Sequence, residues 1–170
     1  MSASVPEPVN LREWRPRNGP SKETGRLFTC GRPGRGTPGY GRTRKQVDLP
    51  TIDEWVAGLP DADPLHIVSL LGRKKDGYSE FSYYPFYSMM ETDKSPTFQE
   101  WLDSRYERTF VVHEFPTIDA QGVPRAVLNA VTMFITPLLR NDSTVVLIDS
   151  AGAERTARVC EAMGYMRVTV

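Results

Sequence analysis

The stretch that decides the fold is Thr144-Val-Val-Leu-Ile-Asp149-Ser-Ala-Gly-Ala-Glu-Arg155-Thr156. Its first part, 145–148, is short, apolar and largely β-branched, as in a strand buried on both faces of a parallel sheet. From 153 to 163 apolar residues recur at helical spacing, and Gly164 supplies a stop. The stretch therefore predicts a strand, a small-residue loop and a helix. Such a turn gathers backbone N–H groups, a helix N-terminus and the Arg155 guanidinium around one point, which attracts phosphate.

Two interpretations of Asp149 and Ser150 stay open at this level. Asp and Ser are frequent helix N-caps, so either residue is explained if it caps the helix that follows. The other interpretation is a ligand site formed by the loop and Arg155.

The loop resembles the phosphate-binding loop of cysteine-dependent tyrosine and dual-specificity protein phosphatases, whose pattern is Cys, five residues, Arg, then Ser or Thr. Here five residues separate Asp149 from Arg155. Asp149 stands at the position of the family's catalytic cysteine, and Ile148 at that of the histidine before it. The resemblance implies a phosphate-binding loop without its nucleophile, formed by Ser150, Ala151, Gly152, Ala153, Glu154, Arg155 and Thr156.

A second motif lies upstream of this loop. Phe115-Pro-Thr-Ile-Asp119-Ala-Gln-Gly-Val-Pro124 resembles the family's general-acid loop, and Asp119 precedes Asp149 by 30 residues, a separation similar to that in small dual-specificity phosphatases. Together the two motifs extend the resemblance over residues 26–163. In the family a thiolate attacks phosphorus, an Asp protonates the leaving oxygen and the Arg stabilises transition-state charge. The resemblance assigns the last two roles to Asp119 and Arg155.

The rest of the chain predicts strands that alternate with helices. Apolar runs indicate strands, and amphipathic spacing indicates helices. The last of these helices contains Pro137 and should kink or end early there. Thr51 is the expected cap of the first helix. This alternation predicts an α/β fold with a central, mostly parallel sheet flanked by helices, as the phosphatase resemblance also implies. The predicted strands are 26–30, 65–71 and 109–115, and the predicted helices are 52–59, 98–105 and 125–139.

With 170 residues, the chain has room for one domain and an extension. We expect an N-terminal extension over 1–25 and a phosphatase-like domain over 26–170. Family members usually continue with further helices beyond the one at Arg155, whereas here the β-like tail 165–170 follows. Either those helices are truncated, or the tail covers their site, or residues 1–25 compensate for them.

The net charge of zero hides an asymmetry along the chain. Residues 1–45 carry ten Lys or Arg and three Glu, while residues 46–170 carry eleven Lys or Arg and eighteen Asp or Glu. The basic part includes a Gly/Pro-rich loop over 31–45, which has two interpretations. The first interpretation is a flexible arm for an anionic partner. The second is a solvated loop on an acidic domain. The second is favoured because few aromatic residues interleave with the charges.

Residues 78–90 are unusually rich in Tyr and Phe. Aromatic side chains supply large contact areas, so this segment has one interpretation as a substrate groove or protein-binding patch. The other, favoured interpretation is a strand or loop packed on the sheet.

The remaining composition excludes several classes of site. Cys30 and Cys160 are too few for a disulfide framework, and His66 and His113 do not suffice for a metal site. The chain contains no apolar run that could span a bilayer, and its N-terminus lacks the apolar stretch of a secretory signal. We therefore expect a soluble, cytoplasmic protein without metal or other cofactor.

Asp149 decides the expected function. A carboxylate is a far weaker nucleophile toward a phosphomonoester than a low-pKa thiolate, and aspartyl-phosphate enzymes recruit Mg²⁺, for which no acidic cluster is visible. Asp149 can also fold onto the loop N–H groups and repel a phosphate dianion. The sequence thus predicts a catalytically inactive, phosphatase-like binding or scaffolding module, that is, a pseudophosphatase.

The alternative is an enzyme, so the sequence leaves the question of activity open. In that case Asp149 replaces the cysteine through an introduced mutation and Asp119 acts as general acid on phosphomonoesters, or Asp149 serves other phosphoryl chemistry. The expected partner is a phosphorylated protein, a small phosphomonoester or another protein. Nucleic acid and membrane are not expected partners.

Overall fold

The computed structural model describes residues 8–36, 46–73, 79–91 and 94–169. Six strands occur in these ranges: β1 (Arg12–Pro16), β2 (Arg26–Gly31), β3 (Leu65–Ser69), β4 (Phe110–Glu114), β5 (Thr144–Asp149) and β6 (Tyr165–Arg167). The helices are α1 (Leu49–Ala57), α2 (Phe98–Arg105), α3 (Arg125–Arg140) and α4 (Glu154–Ala162), with one short 3₁₀ helix over Glu80–Tyr83. None of these helices is long and apolar enough to cross a membrane.

The strands form a single sheet in the order β4-β3-β5-β2-β1-β6. The first four strands run parallel to one another, while β1 runs antiparallel to both β2 and β6. The predicted α/β class is confirmed, and the sheet is mixed. β1 and β6 supply its antiparallel part, and β1 lies within the segment expected to be an extension.

Trp14 anchors β1 to the sheet. Its ring is 4% exposed, and its indole N–H donates to Thr29 Oγ1 on β2 at 2.8 Å. The flanking Arg12, Glu13 and Arg15 leave β1 with little apolar character in the sequence. Residues 12–16 therefore belong to the same folded body as the parallel strands.

The core lies on both faces of the sheet. On one face, α1, α2 and the 3₁₀ segment cover strand residues such as Ile67 and Ile148. On the other face, α3 and α4 cover residues such as Val145 and Leu147. Consecutive residues of β5 thus point into different cores, as a strand buried on both faces requires. Because helices pack on both faces of the sheet, β5 is held in the interior and its carboxyl end at Asp149 has a fixed position.

Local signals explain the helix boundaries, with two corrections to the predictions. α2 begins at a capping box, in which Thr97 and Glu100 each accept from the other's backbone N–H. The predicted cap of α1 was wrong: the N-cap is Asp48, whose carboxylate accepts from Thr51 N at 3.0 Å. α3 also does not end early at Pro137 but continues to Arg140. Only the last turn follows this proline, and Leu139 within it is buried.

The aromatic segment is packed into the core. Phe81, Tyr83, Tyr84 and Phe86 are at most 3% exposed, and the ring of Phe86 stacks on Tyr84 and on Phe98 of α2. These contacts favour the packed-loop interpretation of residues 79–86. Aromatic stacking between sequentially distant segments also ties this loop to the α2 side of the sheet.

Part of the basic segment is likewise structural. Arg32 is 1% exposed; its guanidinium lies 4.3 Å from the centroid of the Tyr83 ring and donates to Tyr84 Oη at 3.2 Å. Burial raises the pKa of the Tyr84 hydroxyl to about 12, against the opposing effect of Arg32. Residues 37–45 of the predicted basic loop lie outside the described residues.

His66 and His113 face each other on neighbouring parallel strands. Their rings stack with centroids 5.6 Å apart, and His66 Nδ1 lies 3.3 Å from His113 Nε2. Phe134 of α3 packs against His113 at 4.3 Å between ring centroids. One ring must donate and the other accept in this contact. No group of three or more His, Cys, Asp or Glu in the described ranges is arranged to hold a metal.

This pair should make the fold sensitive to acid. Burial lowers the pKa of His66, and burial together with the charge of His66 lowers that of His113. The folded state therefore disfavours protonation, so stability is complete above the unfolded value of about 6.5 and falls as the pH drops below it. We expect the unfolding free energy, measured in urea at about pH 7.5 and about pH 5.5, to fall less in His113→Gln than in the parent. An identical fall in both proteins would contradict this account.

Candidate functional site

The candidate site lies at the carboxyl end of the parallel strands, where open α/β sheets place their ligand sites. β5 is central in the parallel part and ends at Asp149, and α4 begins at Glu154. The loop between them meets the end of β2 and the segment 115–124 that follows β4. We call residues 149–156 the anion loop and residues 116–124 the acid loop.

Asp149 is turned into its own loop. Its side chain is buried, with one carboxylate oxygen accepting from Gly152 N and the other from Thr156 N, the latter at 2.9 Å. Thr156 is the third residue of α4, and the N-cap residue Ala153 makes no side-chain cap bond. The carboxylate thus caps α4 from inside the loop. These contacts favour the capping interpretation of Asp149, and a ligand site at this loop stays a prediction.

The loop is held against the end of β2 and against Asn10, which precedes β1. Gly152 has φ +70°, and any Cβ there would collide with the backbone of Cys30 and Gly31. Asn10 Nδ2 donates to Ala151 O at 2.7 Å, and Arg32 N donates to Ser150 O at 3.2 Å. Glycine is therefore required at 152, both for its backbone conformation and for this close approach.

Arg155 is 5% exposed, and both terminal nitrogens of its guanidinium donate to acceptors. Its Nη1 and Nη2 donate to the two carboxylate oxygens of Glu80 at 2.7 and 3.0 Å, a bidentate pair in which Glu80 is 1% exposed. Nη1 also donates to Thr117 Oγ1 at 2.8 Å and to Leu70 O at 3.3 Å. Arg155 consequently joins α4 to three other segments of the chain.

Asp119 meets the same guanidinium from the acid loop. Its Oδ1 accepts from Arg155 Nη2 at 3.3 Å, and the Asp119 side chain is 34% exposed. Thr117, two residues earlier, is buried and donates through Oγ1 to Leu70 O at 2.6 Å. The structure thus brings together the three residues singled out from the sequence, Asp119, Asp149 and Arg155.

A cavity of about 240 Å³, the loop cavity, opens between the anion loop and the tip of the acid loop. Its charged lining consists of Asp119, Asp149 and Glu154 against Arg35 and Arg155. Because Arg155 already pairs with Glu80, the positive charge available to an anion in this cavity comes mainly from Arg35 and is opposed by three carboxylates. Ser150, Ala151 and Ala153 of the predicted loop also line it, whereas Gly152 and Thr156 donate to Asp149.

The ionisation of nearby groups follows from burial and charge. Burial lowers the pKa of Arg155, but the hydrogen bonds and charge of Glu80, with Asp149 and Asp119, outweigh it and leave that pKa raised. Burial, followed by the charge of Asp149, raises the pKa of the Cys30 thiol well above its usual range. Cys160 is also buried, and its thiol pKa is raised by burial and then by Glu161.

Sequence reasoning missed Glu80, the principal partner of Arg155. A lone carboxylate amid Ser79, Phe81 and the tyrosines that follow was the available signal, since a charge in a buried aromatic run needs a partner. Thr117 was part of the quoted acid loop but had no assigned role. The support of the anion loop by Asn10 carried no local signal, because that residue lies 141 positions from Ala151.

Comparison of the chain with protein-family models, with curated proteins and with solved structures finds no match.

Proposed function

We propose that this protein is a phosphatase-like module that does not hydrolyse phosphomonoesters and that acts as a binding or scaffolding domain. The observation that carries the proposal is the position of the Asp149 carboxylate, which accepts from Gly152 N and Thr156 N. In a loop of this kind those donors are the ones a phosphate would need. The loop is therefore a structural element that stabilises the domain.

The charge around the loop also opposes phosphate. A dianion in the loop cavity would face the carboxylates of Asp119, Asp149 and Glu154 at close range. Two like unit charges 4 Å apart repel each other by about 4 kcal/mol when the effective dielectric constant is about 20. The guanidinium of Arg155 cannot offset this cost, because Glu80 and Asp119 already neutralise it.

No cysteine is available to replace the missing nucleophile. Cys30 and Cys160 are both completely buried, and burial raises the pKa of each thiol. A catalytic thiolate needs partial exposure and a lowered pKa. Catalysis by the family's cysteine route thus has no candidate nucleophile in this chain.

One observation favours a second candidate, an active phosphatase in which Asp149 replaces a cysteine. Asp119 lies 3.3 Å from Arg155, so the general-acid position and the arginine keep the proximity that phosphoryl transfer requires. A cysteine at 149 would then lie at the base of the loop with both groups nearby. Both candidates expect the chain as written to be inactive, whereas only the second candidate requires turnover in Asp149→Cys.

We expect purified protein to hydrolyse an aryl phosphate no faster than a protein-free blank, with or without Mg²⁺. Asp149→Cys should gain measurable turnover, because a thiolate there would be placed next to Asp119 and Arg155. The measurement is release of the phenolate from p-nitrophenyl phosphate, followed continuously by absorbance.

The matched control is Asp149→Ala, which removes the carboxylate without adding a nucleophile and should also be inactive. Turnover by the parent that disappears in Asp149→Ala would overturn the proposal of an inactive module. A well-folded Asp149→Cys variant without turnover would instead eliminate the second candidate.

A further inference from the structure

A second cavity, which the proposed function does not use, lies on the other side of the acid loop. It has a volume of about 440 Å³ and lies between the 3₁₀ segment, residues 88–91 and the acid loop. We call it the apolar cavity. Its volume is within the range of pockets that hold small organic ligands. Its apolar walls are formed by Phe81, Met90, Pro116, Ile118 and Pro124.

The polar lining of this cavity points to an occupant without net charge. Ser79, Ser88 and Gln121 contribute two hydroxyl groups and an amide, which fix orientation without favouring an ion. Among the described residues of the lining, Arg73 and Glu91 contribute one charge of each sign, and these two charges balance. An isolated ion would lose its hydration among the apolar walls without a net opposite charge to compensate.

Apolar surface is left in water around this cavity. Met90 is 70% exposed and Ile118 is 40% exposed, although both contribute to the cavity walls. A ligand that covers these side chains gains the free energy of removing apolar area from water. Both residues belong to loop segments, which adjust to an occupant more readily than strands or helices do.

The acid loop separates the two cavities. Asp119 and Ala120 line the loop cavity, Thr117 and Ile118 line the apolar cavity, and Gly122 lines both. Thr117 also accepts from Arg155 Nη1 at 2.8 Å. A molecule in the apolar cavity therefore contacts the same loop that holds Asp119 against Arg155.

We infer that the apolar cavity is a binding site for an uncharged, mainly apolar small molecule. Binding there alters the surroundings of the acid loop's backbone. This inference does not depend on whether the anion loop is inactive. The effect of binding reaches the other side of the acid loop because Thr117 lines the apolar cavity and Asp119, two positions later, lines the loop cavity.

The test uses the full chain and the neutral fluorophore N-phenylnaphthylamine, whose emission rises in apolar surroundings. We expect saturable binding to one site. Ile118→Asp places a carboxylate in the apolar wall and should weaken binding at least about tenfold, since an unpaired charge is costly there. The control is Met133→Asp, because Met133 is 76% exposed on α3 and lines no cavity described above. Its affinity should stay within about twofold of the parent.

Two further measurements keep the result interpretable. If Ile118→Asp does not fold, Ile118→Ala should weaken binding by about threefold through lost contact area. In the parent, the fluorophore should shift the backbone amide resonances of Thr117 and Ala120, while those of Met133 stay unchanged. Absence of saturable binding, equal affinity of the parent and the Ile118 variants, or unshifted acid-loop resonances at saturation would each overturn the inference.

Discussion

Arg155→Met should lower the free energy of unfolding by about 3–5 kcal/mol, because it leaves the Glu80 carboxylate buried without its partner. Glu80 is 1% exposed and receives two hydrogen bonds from the guanidinium. Thr117 and Leu70 also each lose a hydrogen-bond donor, while the direct bond from Thr117 Oγ1 to Leu70 O remains. The measurement is equilibrium unfolding in urea near neutral pH.

The matched control is Arg26→Met. Arg26 also forms a two-bond pair, with Glu13, but its side chain is 59% exposed, so its loss should cost at most about 1 kcal/mol. Combining Arg155→Met with Glu80→Leu removes both buried charges and should be less destabilising than Arg155→Met alone. An equal loss of unfolding free energy at Arg155 and Arg26 would show that the buried Arg155–Glu80 pair stabilises the fold no more than the exposed pair does.

Asp149→Ala should convert the anion loop into an oxyanion site. The substitution frees the N–H groups of Gly152 and Thr156 and removes a negative charge from the cavity. A charge about 4 Å from a bound anion is worth about 4 kcal/mol near a protein surface, and at least half of it should appear in affinity. We expect tungstate, measured by titration calorimetry, to bind on the order of 100-fold more tightly than to the parent.

Glu154→Gln separates the two contributions to this gain. Glu154 also lines the loop cavity, and its removal lowers the local negative charge without freeing the donors that Asp149 occupies. Its gain in tungstate affinity should be only a few-fold, about the value of one surface charge. A gain equal to that of Asp149→Ala would mean that charge alone, and not occupation of the N–H groups, excludes anions.

Local sequence signals predicted the parallel half of the fold. The run 145–148 was recognised because it is continuously apolar, and the helix over Phe98–Arg105 was recognised from its helical pattern. The run Arg26–Cys30 was predicted as a strand because it resembles the entry strand of the phosphatase family. The position of the anion loop followed, because the end of a central parallel strand fixes where the chain turns into a helix.

The features that were missed depend on distant residues. β1 has only Trp14 as a buried apolar residue between charged neighbours, so its strand character comes from pairing with β2 and β6. Glu80 lies 75 positions before Arg155, and nothing in its own neighbourhood specifies an arginine as its partner. Pro137 failed to end α3 because the burial of Leu139 continues the helix, a tertiary effect that outweighs local propensity.

The role of Asp149 is the central claim, and the unfolding free energy of Asp149→Asn tests it most directly. Asparagine keeps the shape of the side chain but replaces one acceptor oxygen by an N–H₂ donor, which would face Gly152 N or Thr156 N. We predict that, in urea near neutral pH, this variant unfolds with about 1–3 kcal/mol less free energy than the parent. An Asp149→Asn variant as stable as the parent, or more stable, would contradict the account, because the carboxylate would then not be what the anion loop holds.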